Sequence, residues 1–164
     1  MQVMVHAVAE LTHRVLPDML AHEHGRIINV ASVAGIVAGS SGHTLYAASK
    51  AFLIKFSESL AMENEATGVQ VQALCPGFTL SEFHDVIGNR HLVSQMPDYM
   101  WMRADEVVRI SLAAWDKPNS PVMLLPVRVN RFLAFLSRKL PYRWAYALVK
   151  KRSGDFRLQE PAQH

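Results

Sequence analysis

Tyr46-Ala47-Ala48-Ser49-Lys50, preceded by Gly25-Arg26-Ile27-Ile28-Asn29-Val30-Ala31-Ser32 and followed by Cys75-Pro76-Gly77, is the stretch around which this chain is organised. Residues 44 to 67 carry a helical apolar period, with Phe52, Phe56, Leu60 and Ala61 at inward positions and Lys55, Glu58, Glu63 and Glu65 on other faces. Four apart on such a helix, Tyr46 and Lys50 share a face, their Cβ atoms roughly 5–6 Å from each other. A free phenol titrates near ~10 and a neighbouring cation favours its ionised form, so Lys50 is expected to lower the Tyr46 pKa and make it a general acid/base. Ser32 ends the β-branched run Ile27, Ile28, Val30, and its hydroxyl is available to a substrate carbonyl oxygen. A tyrosine and a lysine four apart also occur on helices without chemistry, so the pair needs its neighbours to carry meaning.

The neighbours supply an architecture. Residues 26 to 32 are apolar on both faces, as a buried parallel strand requires, and Ser32 falls at the carboxyl end, where open α/β sheets bind ligands. Gly68 closes the long helix, and residues 69 to 74 form a second strand that delivers Pro76-Gly77 at the same end. Upstream, Val5, Val8, Leu11, Val15 and Met19 mark residues 2 to 22 as an amphipathic helix despite Pro17; no N-cap precedes the pattern, so the helix is expected to begin before Met1. Residues 33 to 43 form a Gly/Ser loop on the substrate side. Phe78, Phe83, Met96, Met100 and Trp101, spread over residues 78 to 102, either cover an apolar substrate or pack on themselves as a lid. Asp105 and Glu106 open a helix to about Asp116, and residues 121 to 126 make a last short strand. Alternating helices and strands specify parallel pairing with right-handed crossovers.

Taken together, these motifs resemble the short-chain dehydrogenases/reductases over about residues 1 to 125. That family pairs a serine with Tyr-x-x-x-Lys and begins the segment after the next strand with Pro-Gly. The resemblance implies an α/β fold, a partial doubly wound, Rossmann-like, three-layer arrangement with a short parallel sheet. It implies Ser32 as the group polarising the substrate, Tyr46 as acid/base, and Lys50 as the ribose ligand that tunes it. Tyr46, Lys50, Pro76, Gly77, Thr79 and Ser81 would contact NAD or NADP, and the reaction would move a hydride to or from a small-molecule carbonyl or alcohol. Helices 2–22 and 44–67 would pair with a twofold mate as a homodimer, unless the same surfaces simply cover the sheet.

Two departures stand against that pattern. The family opens with a glycine-rich turn for the dinucleotide phosphates, and none of the eight glycines forms G-x-G-x-x-G or G-x-x-x-G-x-G. The sequence therefore reads as the carboxyl-terminal half, a truncated form with one sheet edge open, that would hold a dinucleotide poorly alone. The family's water-supporting asparagine falls on Met4, whose thioether cannot donate. A second function follows: a catalytically silent homologue serving as an assembly or membrane-binding module.

Length and composition bound the rest. The 164 residues, half of them hydrophobic, suit one globular domain with a core. Cys75 is the single cysteine, which excludes an internal disulfide; it reads as a small buried hydrophobe. No secretory pattern opens the chain, so a cytoplasmic site is expected. His22-Glu23-His24-Gly25 reads as a helix exit rather than a metal site, since no third ligand accompanies it, and no metal is expected. After a boundary at 126/127 the character changes: nine Lys/Arg between Arg128 and Arg157 face only Asp155 and Glu160, within an overall charge of +3. Apolar and aromatic residues alternate with these cations on either side of Pro141. Such a basic amphipathic helical tail, residues 127 to 164, suits an anionic membrane surface, or packs on its own domain or a dimer mate. It is too charged to span a bilayer, and no nucleic-acid module accompanies it.

Overall fold

The computed structural model describes residues 1–39, 42–80, 100–117 and 120–153. The chain enters through a single π-helical turn, Gln2–His6, where the Val5 and His6 N–H groups both reach the Met1 carbonyl, at 3.0 and 3.4 Å. It continues as α1, Ala7–Ala21, so the expected helix over 2–22 has a widened first turn. Strand β1 is Gly25–Val30; Ser32 lies just beyond it and caps a 3-10 turn, Val33–Gly35. Helix α2, Thr44–Glu63, stops short of the expected residue 67. The reason is local: the Asn64 carboxamide donates to the Leu60 carbonyl at 2.7 Å, satisfying a terminal acceptor that another helical turn would have used. Gly68, at φ +77°, then turns the chain into β2, Val69–Leu74.

Two short strands, β3 (Phe78–Leu80) and β4 (Trp101–Arg103), pair in parallel at the two ends of the stretch expected to cover a substrate or to pack as a lid. Phe83, His84, His91 and Met96 lie outside the described residues. Helix α3, Ala104–Trp115, follows, and its first turn carries Asp105 and Glu106 as the helix dipole favours. The last strand, β5, is only Met123–Leu124 rather than 121–126. Pro121 and Pro126 flank it, and a proline has no N–H to give a ladder. The tail forms α4, Arg128–Lys139, and α5, Tyr142–Ser153, broken at Pro141.

The main sheet is fully parallel in the order β1-β2-β5, with Gly25 opposite Val69, Val30 opposite Leu74, and Leu74 opposite Leu124. Among the described residues no strand pairs with the outer side of β1 or β5. Helices cover both faces. Ile27, Val69, Val71 and Leu60 pack with Leu16 and Met19 of α1, while Leu74 and Leu124 pack with Val107 and Ala114 of α3 on the other side. The third cluster gathers Ala31, Leu53, Ile54, Ala73, Cys75 and Leu125 with Ala134 of α4. Burial of these apolar side chains is what holds the layers together.

Gly68 is where the backbone is most demanding. A Cβ there would need a left-handed conformation and would run into the Glu23 carbonyl. Gly68→Ala should cost at least about 2 kcal/mol in denaturant unfolding, whereas Gly39→Ala, where nothing lies within 4 Å, should stay within about 0.5. Equal stabilities for the two variants would refute this account of the turn.

Candidate functional site

Backbone hydrogen bonds hold the two strand ends side by side. Ala31 N–H donates to the Leu74 carbonyl at 2.8 Å and Val33 N–H to the Pro76 carbonyl at 3.1 Å. The Ser32 turn and the Pro76-Gly77 turn thus meet at the carboxyl rim of the parallel sheet. Ser32 is extended (φ −167°, ψ 157°), and its Oγ accepts from the Ala34 N–H at 3.1 Å. The tight turn works because residue 35 is glycine: a Cβ there would sit 2.6 Å from the Ala51 nitrogen of α2.

The first turns of α2 bring the other two groups. A side-chain hydrogen bond joins Tyr46 to Ser32. Lys50 Nζ donates to the Val30 carbonyl at 2.8 Å and stands 5.6 Å from the Tyr46 ring centroid. Three side chains separated in sequence therefore converge over the rim. Successive backbone groups of a strand point to opposite sides, and Ala31 is bonded to β2, so the Val30 carbonyl faces the open side of β1. Lys50 supplies that acceptor with a donor.

The electrostatics differ from the sequence expectation. Burial pushes the Tyr46 phenol above its ordinary value, and the bond to Ser32 opposes that shift without cancelling it. The expected lowering by Lys50 does not prevail, because desolvation of the phenolate is the larger effect and the ammonium is turned to the Val30 carbonyl. Burial likewise lowers the Lys50 pKa, with Cys75 acting in the opposite direction.

Of the remaining sequence candidates, Pro76 and Gly77 lie beside this group, and Thr79 Oγ1 donates to the Gly77 carbonyl at 3.2 Å. Ser81 falls outside the described residues. Met4 approaches from the π turn: its sulfur is 3.4 Å from Ser49 Oγ, whose hydroxyl also meets the Tyr46 carbonyl at 2.7 Å. Four neighbours carried no sequence signal. His43 stands edge-on to Tyr46 with ring centroids 6.3 Å apart. Asn130 of α4 packs its carboxamide where a Gly77 side chain would be, which only the fold of the tail could reveal. Tyr146 and Lys150 of α5 join Ala34, Val37, His43 and Ala47 around a cleft of about 580 Å³ between the turn after β1 and the start of α2. A hollow of about 660 Å³ over the outer face of α3 involves none of the Ser32, Tyr46 and Lys50 group.

The donor set suits the nicotinamide-ribose end of a dinucleotide. Lys50 has three N–H donors, of which Val30 takes one, and Tyr46 and Thr79 add hydroxyls nearby. The phosphates find no glycine-rich cradle in this sequence.

A family model described as short chain dehydrogenase matches residues 1–91. Oxidoreductase UcpA of Escherichia coli (strain K12) is 35% identical over 86 residues, which are 52% of this chain and 33% of that protein. Nodulation protein G of Rhizobium sp. (strain N33) is 41% identical over 90 residues, 55% of this chain and 36% of that protein. A solved short-chain dehydrogenase from Sphingobium yanoikuyae, in complex with NADPH, superposes with a TM-score of 0.67 at 28% identity, over 98% of this chain and 56% of that one. The matched stretch thus spans about a third of the curated relatives and about half of the solved one.

The raised phenol is measurable. In an ultraviolet difference titration, one of the four tyrosines should ionise above the ordinary phenolic range, and Tyr46→Phe should remove that step. Ser32→Ala should move it further up, since the group that favours the phenolate is lost. A downward move on Ser32→Ala would contradict the hydrogen bond.

Proposed function

The chain belongs to the short-chain dehydrogenase family, and from that premise we propose that it carries the catalytic portion of an NAD(P)-dependent oxidoreductase acting on a small carbonyl or alcohol. One observation carries the proposal: Tyr46 is hydrogen-bonded to Ser32 while Lys50 stands beside its ring, all three at the carboxyl rim of a parallel sheet. The NADPH in the Sphingobium yanoikuyae relative supports the choice of cofactor class.

When bound, the nicotinamide would supply or accept the hydride. The protein's own groups handle the proton and the oxygen. In reduction, the Tyr46 hydroxyl gives its proton to the carbonyl oxygen as negative charge develops there, and the Ser32 hydroxyl donates to the same oxygen. In oxidation Tyr46 takes the proton back. A phenol pushed upward by burial stays protonated at neutral pH, which suits the donating direction. Lys50, with Tyr46, would bind the ribose hydroxyls, and its charge beside the ring stabilises a phenolate formed in turnover. Pro76, Gly77, Thr79 and Ser81 would line the nicotinamide.

The remaining organisation is proposed on the same footing. Residues 1–126 form the oxidoreductase portion and residues 127–164 a basic tail, in a cytoplasmic protein whose tail contacts a membrane. A homodimer through helices 2–22 and 44–67 is supported by apolar side chains left in water: Leu11 62%, Val15 41% and Met62 70% exposed, with Phe52 stacked on Phe56 at 5.6 Å. A second reading, a catalytically silent assembly or membrane module, draws on the Met4 sulfur, which occupies the place of an expected hydrogen-bonding asparagine.

Nicotinamide oxidation with a panel of ketones tests the first reading. Tyr46→Phe should lower turnover by about 10²–10⁴-fold with circular dichroism unchanged. Turnover kept by the variant would remove Tyr46 from its role, and a wild-type chain inert with every ketone would favour the silent homologue. In sedimentation equilibrium, Phe52→Glu should shift the mass from dimer towards monomer; an unchanged mass would argue against the helical interface.

A further inference from the structure

We infer that the outer face of α4, with the exposed start of α5, is a docking surface for anionic lipid headgroups, its cations holding phosphate and its rings entering the interface. This deepens the membrane contact proposed for the tail and is independent of the hydride chemistry.

The face is defined by spacing and by burial. Arg128, Phe132, Phe135 and Lys139 recur at i, i+4, i+7 and i+11, which is one stripe along a helix. Asn130 and Ala134 lie on the other side, each 4% exposed, and Ala134 packs into the core with Leu53 and Cys75. Anchored in this way, α4 turns its stripe outward. Phe132 is 64% and Phe135 59% exposed, and Lys139 Nζ sits 6.0 Å from the Phe135 centroid. After Pro141, Tyr142 and Trp144 are 73% and 70% exposed.

Charge selects the occupant. No Asp or Glu occurs between Asp116 and Asp155, so the tail helices themselves carry basic charge with no acidic residue among it. A second copy would bring like charge against like charge across a twofold axis, which disfavours self-pairing. Nucleic acid would satisfy the cations and could stack on the rings, yet Val129, Leu133 and Leu148, 36%, 37% and 49% exposed, gain nothing from bases. An anionic bilayer satisfies all three classes: phosphates for Arg128 and Lys139, the interfacial zone for Trp144 and the phenylalanines, and acyl chains for the aliphatics. The contact is peripheral, since no described helix is long and apolar enough to cross a membrane.

The test is co-sedimentation of the full chain with vesicles of phosphatidylcholine alone, or of phosphatidylcholine mixed with phosphatidylserine. Binding is expected to the mixed vesicles only, and to weaken with added salt. Arg128→Gln/Lys139→Gln should weaken it about fivefold per charge removed. Phe132→Ser/Phe135→Ser should weaken it by about tenfold or more with circular dichroism unchanged. Should the ring variant fail to fold, the charge variant and the salt series on the wild type still decide. Tyr46→Phe should sediment like the wild type, so failure of the hydride chemistry leaves this inference standing. No sedimentation with mixed vesicles overturns it. So does binding to duplex or single-stranded DNA that is equally tight and lost in the same variants, which assigns the face to nucleic acid. A dimer mass lost only in the ring variant would assign it to a second copy.

Discussion

The contact on which the site depends is the Lys50 ammonium at the Val30 carbonyl, 2.8 Å away. It ties the first turns of α2 to the exposed side of β1, where a strand carbonyl would otherwise have no partner in the described structure. With α2 held there, Tyr46 falls against Ser32 and the phenol is partly buried. A charged donor to a carbonyl is a stronger bond than a neutral one, so the junction is firm without any covalent link.

Two buried polar pairs extend that logic through the sheet. Asn29 donates to Ser57 Oγ of α2 at 2.9 Å on one face, and Ser111 Oγ of α3 donates to Gln72 Oε1 at 2.6 Å on the other. Each places a polar side chain in a dry layer, where an unpaired group would be costly, so each helix is steered to one position over its strand. The apolar clusters supply the attraction, and the polar pairs select among the packings it would allow. The π turn at Gln2–His6 has a related consequence. It carries Met4 to Ser49, inside the helix that holds Tyr46 and Lys50, so the entry of the chain touches the site's own support.

The tail is less separate than its charge suggests. Ala134 belongs to the same cluster as Leu53 and Cys75, and Asn130 fills the space that Gly77 leaves open. Tyr146 and Lys150 reach round to the loop at Ala34 and Val37. The helices that present cations and rings to the outside therefore also pack against the Pro76-Gly77 turn and wall the cleft beside the start of α2. A surface contact at α4 would lie one helix thickness from the Pro76-Gly77 turn.

Much of this was legible in residue order. An apolar run ending at Ser32 and a partly alternating one ending before Pro76 marked two parallel strands whose carboxyl ends meet, the 3.6 period marked α1 and α2, Asp105 and Glu106 marked the start of α3, and Pro141 marked the break in the tail, because these signals are local. Local signals also located Tyr46 and Lys50 on one helix face. Residue order did not reveal β3 pairing with β4, the shortening of α2 at Asn64, or the approach of Asn130, His43 and Tyr146, since each depends on a partner far along the chain or on side-chain geometry. The direction of the Tyr46 shift belongs to the same class: the sequence by itself determined that a cation would stand nearby, but only tertiary packing decided how much water the phenol would lose, and desolvation outweighed the charge.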